Sequence, residues 1–196
     1  MKIGLNRIGE FSDMSLKALL IEVMAHLEEE YGWVFTEEEY NNTPDRIIAM
    51  LEEWDGKHNY DKFTAFPNSF DNQNLVILKD IHYTAVCSHH LMPFSGTVSI
   101  AYLPKDKVIG ASKLARLVDK YAYQAQIQER MTEEIAEELE RVLAPEGIMV
   151  YVEGSHSCMT ARGVNQANSI FVSSAIRGAF RTNPELKAEA LKLIKG

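Results

Sequence analysis

Two apolar, β-rich runs each end in metal-binding side chains, and this constrains the chain more than any other feature. Leu75 to Val86 leads straight into Cys87-Ser88-His89-His90, and Ile148 to Val152 leads to His156-Ser157-Cys158. Both of the two cysteines and three of the six histidines fall in these stretches. Thiolate and imidazole are the donors zinc favours, and a catalytic zinc takes three protein ligands plus water. Cys87, one of His89 and His90, and Cys158 can supply that set. The competing reading is a pair of buried cysteines beside satisfied core histidines, because free Cys packs as a small hydrophobe. A lone C-x-H-H is a weak signal, and its pairing with a distant H-x-C is more specific.

The 196 residues suit one domain, or one domain with a helical appendage. Hydrophobic residues make up 46%, which supports a real core. A net charge of −8 argues against a general nucleic-acid binder. It leaves room for a small anionic substrate held by local Lys and Arg. Met1-Lys2-Ile3-Gly4 has no signal-peptide character, and no apolar run is long enough to span a bilayer. The expectation is a cytoplasmic protein with no membrane partner, whose cysteines are ligands or free thiols rather than a disulfide. Asn41-Asn42-Thr43 fits the glycosylation pattern but means little without secretion.

Along the chain, Leu16, Leu19, Leu20, Val23, Met24 and Leu27 recur at helical spacing, so a helix is expected from Asp13 to a stop at Gly32. Glu28-Glu29-Glu30 reads as a solvated face. Thr36-Glu37-Glu38-Glu39 resembles a capping box for a short helix, and Thr43-Pro44 is expected to open another. Between Asp55 and Asn74 turn formers dominate, and the boundary is placed there: 1–74 is a helical region with its loop, 75–196 the second domain. That domain reads as strand to Val86, strand Phe94 to Leu103, a helix capped by Ser112, a helix from about Gln126 to Leu143, strand Ile148 to Cys158, strand Ser169 to Phe180, and a last helix from Asn183-Pro184. The fold class is α+β: an antiparallel four-stranded sheet with two helices on one face, plus N-terminal helices. The other face is expected to need cover from partner subunits.

Three further stretches carry chemistry. Ser112-Lys113-Leu114-Ala115-Arg116 sits at a helix N-terminus, where free N–H groups favour an anion, and Lys113 and Arg116 can reach one face. The alternative is an ordinary amphipathic helix. Glu129, within Gln128-Glu129-Arg130, can accept two N–H bonds from a guanine-like edge, or else simply faces solvent. Arg162 can clamp a phosphate, or else marks a surface turn.

Taken in order, Cys87-Ser88-His89-His90-Leu91-Met92-Pro93-Phe94, Ser112-Lys113-Leu114-Ala115-Arg116, Gln126-Ile127-Gln128-Glu129-Arg130, His156-Ser157-Cys158-Met159 and Arg162-Gly163-Val164 resemble the motif set of the GTP cyclohydrolase I family. The resemblance covers roughly residues 75–196, and Thr43-Pro44-Asp45-Arg46 is similar to the family's N-terminal helix signature. It implies the tunnelling fold (T-fold), a homo-oligomer, typically a decamer with sites at subunit interfaces, and conversion of GTP to 7,8-dihydroneopterin triphosphate and formate. It further implies Cys87, His90 and Cys158 as zinc ligands, and His89 and His156 as proton-transferring histidines. Glu129 would hold the guanine edge, assisted by the backbone near Gln128, and Ser112, Lys113, Arg116 and Arg162 would hold the triphosphate.

Three departures from the family pattern stand out. Ser88 replaces the usual Glu, Tyr123-Gln124 replaces a basic pair, and Phe66-Pro67-Asn68-Ser69 lacks the basic residue often found there. Two other readings remain open: an enzyme of the same fold that stops at a formylated pyrimidine or another product, and a non-catalytic, zinc-stabilised assembly protein that binds a purine nucleotide.

Overall fold

The computed structural model describes residues 14–54, 63–69 and 74–196. The expected helix start at Asp13 and most turn formers of the 55–74 loop lie outside the described residues. The chain divides into two compact units, Met1–Glu53 and Trp54–Gly196.

In the first unit, α1 (Leu16–Tyr31) starts at Ser15, whose Oγ accepts from the Ala18 amide at 3.2 Å. It stops at Gly32, whose φ of 67° is a left-handed cap that glycine adopts without strain. Helix α2 (Glu37–Glu53) opens on the expected capping box: the Thr36 amide donates to Glu39 at 2.7 Å, and the Glu39 amide donates to Thr36 Oγ1 at 3.3 Å. Two short helices were expected here, with a start at Thr43-Pro44. A single helix runs through instead, with a buried Pro44 inside it. The lost Pro44 donor is one missing hydrogen bond, and the helix carries on because its start is already made at Thr36. Glu28 also departs from the solvated reading. It accepts from the Phe35 amide at 2.9 Å and the Tyr40 hydroxyl at 2.8 Å.

In the second unit the elements run β1 (Ala65–Pro67), β2 (Val76–Cys87), β3 (Pro93–Leu103), β4 (Lys107–Ile109), α3 (Ala111–Ala122), β5 (Ala125–Gln126), α4 (Gln128–Leu143), β6 (Gly147–His156), α5 (Ser157–Thr160), β7 (Phe171–Gly178), α6 (Ala179–Thr182) and α7 (Pro184–Lys195). Strands β2, β3, β6 and β7 form the expected four-stranded antiparallel sheet. Two additions escaped the sequence. The two residues of β5 extend the sheet in parallel beside Val86 and Cys87, and β1 pairs with β4 as a separate ribbon.

Strand alternation sorts the two faces. Val98, Ile100, Tyr102, Ile148, Val150 and Val152 pack under Leu114, Leu117 and Val118 of α3 and Met131, Ile135 and Leu139 of α4. Burying each such aliphatic side chain stabilises by about 1.5–3 kcal/mol relative to exposure. A bulge between Leu78 and Ile81 keeps both on this face, and its extra residue Asp80 takes a φ of 59°. Two details differ from expectation. Gly110, not Ser112, is the N-cap of α3, because it alone separates the end of β4 from the helix, and glycine has no side chain to make a cap bond. Cys158 lies in α5, just past the end of β6.

The opposite face is not the open apolar surface anticipated. Phe180 of α6 and Ala190 and Ile194 of α7 cover Ala101, Met149 and Tyr151. The other half of that face carries His82, Thr84, Ser95, Thr97, Glu153 and Ser174, with the exposed Val172 opposite Glu153.

Candidate active site

Strand pairing brings the two ligand clusters together. The end of β2 and the end of β6 both flank β3, with Val86 opposite Pro93 and His156 opposite Phe94. After Cys87 the chain folds into a tight turn. The His90 and Leu91 amides both donate to the Cys87 carbonyl, at 3.3 and 2.8 Å, and Leu91 takes a left-handed φ of 52°. The Ser88 amide ties the turn to β5 through the Gln126 carbonyl at 3.0 Å.

This turn aims both imidazoles at the Cys87 thiol. Cys87 Sγ is 4.0 Å from His89 Nδ1 and 3.8 Å from His90 Nδ1. Candidate ligand atoms of Cys87, His90 and Cys158 all lie within 4.8 Å of one another. Cys87 is buried in the core cluster with Cys158 packed against it, and the pair also lines a cavity beside exposed imidazoles. Burial and the neighbouring Cys87 push the Cys158 thiol up from its ordinary pKa, against the pull of the Arg162 guanidinium.

Next to the donors lies a cavity of about 160 Å³. Its lining includes Cys87, His89, Gln128, Glu129, His156 and Cys158. Glu129 stands exposed in the first turn of α4. Burial lowers the His156 pKa, opposed by the Glu129 carboxylate. The His156 ring is held by Phe94 on its flat side and by the edge of Phe171. Gln128 is wholly buried and bonds inward. Ser112, Lys113, Arg116 and Arg162 do not line this cavity.

The family model described as GTP cyclohydrolase I matches residues 20–195. The chain belongs to the GTP cyclohydrolase I family. It is 44% identical over 154 residues to GTP cyclohydrolase 1 of Aquifex aeolicus (strain VF5), covering 79% of this chain and 83% of that one. It is 43% identical over 154 residues to GTP cyclohydrolase 1 of Rhodopirellula baltica, covering 78% and 67%. It is 43% identical over 157 residues to GTP cyclohydrolase 1 of Listeria monocytogenes, covering 79% and 83%. The strand–strand–helix–helix–strand–strand unit is the tunnelling fold that the motifs implied for this family.

Sequence reasoning missed several residues that line or support this cavity. Gln126, Ile127, Met159 and Phe171 line the cavity, and Phe94 and Tyr83 support it from behind. Gln126 and Ile127 stood inside a quoted motif but had been given no role. Phe171 and Tyr83 carried no local signal, since only strand register brings them here. Glu153, the carboxylate of β6, is on the opposite face of the sheet from His156. There it accepts from the Tyr151 hydroxyl at 2.7 Å.

Proposed function

We propose that the protein is a zinc-dependent GTP cyclohydrolase that converts GTP and water to 7,8-dihydroneopterin triphosphate and formate, feeding pterin and folate or deazapurine synthesis. The observation that carries this reading is the Cys87–His90–Cys158 donor cluster opening on a cavity that also presents His89, Glu129 and His156.

The donor set fits zinc. Bonds of about 2.3 Å to sulfur and about 2.1 Å to nitrogen in a tetrahedron separate donors by roughly 3.6–3.8 Å. The 3.8 Å between Cys87 Sγ and His90 Nδ1 matches that spacing. When bound, zinc supplies a Lewis acid that lets water act as a nucleophile near neutral pH. The rest of the chemistry falls to side chains. His89 and His156 take the proton of the water that adds at C8 and return one to the ring nitrogen as the imidazole ring of the purine opens. A second hydration releases formate. The ribose chain then rearranges and recloses onto the freed amine with loss of one water, so one water is consumed overall. Glu129 accepts the N1 and N2 hydrogens of guanine. Ser112, Lys113, Arg116 and Arg162 hold the triphosphate, whose binding energy positions C8.

A cavity of about 160 Å³ is well below the roughly 300 Å³ at which ligand pockets begin. It takes part of a nucleotide, and the phosphate-holding residues lie outside it. A site completed by a neighbouring copy resolves both points, so the working form is a ring-shaped homo-oligomer, a decamer by the family's habit. Strands β2 and β7 bound the antiparallel sheet, and the exposed Phe171 and Val172 lie on β7. The reducing cytoplasm, which keeps Cys87 and Cys158 available as free thiols, is the proposed location.

The test is direct. Zinc-loaded protein incubated with GTP should release formate and, after oxidation, give pterin fluorescence, with a solution mass several times that of one chain. A formylated pyrimidine as the end product, or nucleotide binding without formate, would reject this reading.

A further inference from the structure

We propose that Gln128 and Tyr83 form a buried positioning brace that fixes His156 as the Nε2–H tautomer, leaving Nδ1 as the nitrogen that exchanges protons with substrate. This rests on the reading of His156 as a proton carrier given above.

Gln128 opens α4 yet has 0% exposure. Its amide nitrogen donates toward the Val152 carbonyl at 3.3 Å, the Phe171 carbonyl at 3.0 Å and Ser173 Oγ at 3.1 Å. Carbonyl oxygens can only accept. That settles which end of the amide is which, because the flipped form would set the Gln128 oxygen against two carbonyl oxygens. Oε1 is therefore an acceptor. Its neighbours are the Tyr83 hydroxyl at 3.2 Å and His156 Nε2 at 3.0 Å. An imidazole nitrogen at that distance from an acceptor must carry a hydrogen. The other tautomer would set the His156 lone pair against an oxygen of the wholly buried Gln128 side chain.

The brace is itself anchored. Thr132 Oγ1 donates to the Gln128 carbonyl at 2.7 Å, so the 2.7 Å bond between Ser173 and Thr132 has Ser173 as donor. Ser173 Oγ then accepts from Gln128, and the three groups close a ring of hydrogen bonds. Tyr83 is 5% exposed, and burial keeps its phenol protonated. A Cβ at position 154 would lie 2.4 Å from Gln128 Oε1 and 2.5 Å from the Tyr83 hydroxyl, so glycine there makes room for both. Every one of these groups holds or shapes Gln128, whose Oε1 is the atom that meets His156 Nε2.

The test uses the zinc-loaded full chain labelled with 15N-histidine. Long-range 15N–1H correlation reports which His156 nitrogen carries the proton, with the signal assigned by its loss in His156→Gln. Wild type should show Nε2–H alone. Gln128→Met, which keeps the volume but removes the acceptor, should show mixed tautomers and about tenfold lower kcat, with KM and zinc content unchanged. Tyr83→Phe removes one oxygen and should lower kcat several-fold, again at constant KM and zinc. An Nδ1–H signal in wild type, or wild-type kcat in either variant, overturns the proposal. If Gln128→Met does not fold, the wild-type spectrum and Tyr83→Phe still decide. If wild type releases no formate from GTP, the proposed function fails, while the spectrum still tests the tautomer.

Discussion

The imidazole of His156 lies flat against the ring of Phe94, with centroids 4.4 Å apart and planes 10° apart. The two residues are direct partners in the β3–β6 register. Phe94 is 1% exposed and meets Tyr83 edge-on at 5.8 Å, so one core side chain joins the sheet interior to the site. Phe94→Leu keeps an apolar core but removes the flat surface. It should cost about 1–2 kcal/mol in urea unfolding. It should also lower kcat for GTP while leaving KM nearly unchanged, because a loosened imidazole affects proton transfer more than binding. Equal effects on kcat and KM would show that the stack does not orient His156.

Removal of one thiol tests the metal cluster. Cys158→Ala should lose zinc and formate release together. Burial and Cys87 hold the Cys158 thiol above its ordinary pKa, so zinc must displace a proton that the thiol retains at neutral pH. Zinc affinity, measured by competition with a chelator, should therefore fall as pH is lowered from 8 to 6. Arg162 is the opposing influence on this thiol. Arg162→Ala should weaken zinc binding at pH 7 as well as triphosphate binding, whereas a pure phosphate contact would affect only the latter.

Glu138 gives a stability prediction outside the site. Its carboxylate accepts from Arg141 at 2.7 and 2.8 Å, with Lys120 at 3.5 Å. The Arg141 hydrogen bond is the main reason its pKa lies below the usual carboxylate value. A lowered folded-state pKa means the stabilisation is present above the unfolded pKa and is lost as pH falls through the folded one. Arg141 is largely exposed, so the contribution is about 1 kcal/mol. Glu138→Gln should destabilise by that amount at pH 7, and the gap should close toward pH 3 in denaturant melts. A gap that stays constant with pH would assign the loss to packing alone.

The strand-end clusters were legible because cysteine and histidine are scarce here and chemically specific. Val98, Ile100 and Tyr102 announced β3 by alternation, and Asn183-Pro184 announced α7 by cap and fixed φ; Asn183 does accept from the Glu185 and Leu186 amides. What the chain hid was set by distant neighbours. Thr43-Pro44 looked like a helix start because the local pattern cannot register that Thr36 had already begun one. Ser112 looked like a cap because pairing of β4 up to Ile109 fixes the helix start from outside. The enclosure of Gln128 needs Tyr83 from β2, Gly154 from β6 and Ser173 from β7. No window of sequence around α4 contains them.

Glu129 lies in the first turn of α4, beside the candidate site. Its side chain is exposed, but it shares a cavity with Cys87 and Cys158 and its charge acts on His156. In the proposed reading the Glu129 carboxylate accepts two N–H bonds from the guanine edge. Glu129→Gln converts that double acceptor into one acceptor and one donor. A site built to bond a substrate N–H rejects an analogue that lacks it, because buried polar groups are left unpaired. Inosine triphosphate lacks the amino group at C2. Wild type should therefore prefer GTP over inosine triphosphate by about a hundredfold or more in kcat/KM, as expected for one lost bond to a charged acceptor. In Glu129→Gln that ratio should collapse toward unity, mainly through loss of GTP turnover, with zinc content unchanged. A variant that kept the wild-type ratio would show Glu129 to be an ordinary solvated residue of the first turn, and base recognition would have to come from another copy of the chain.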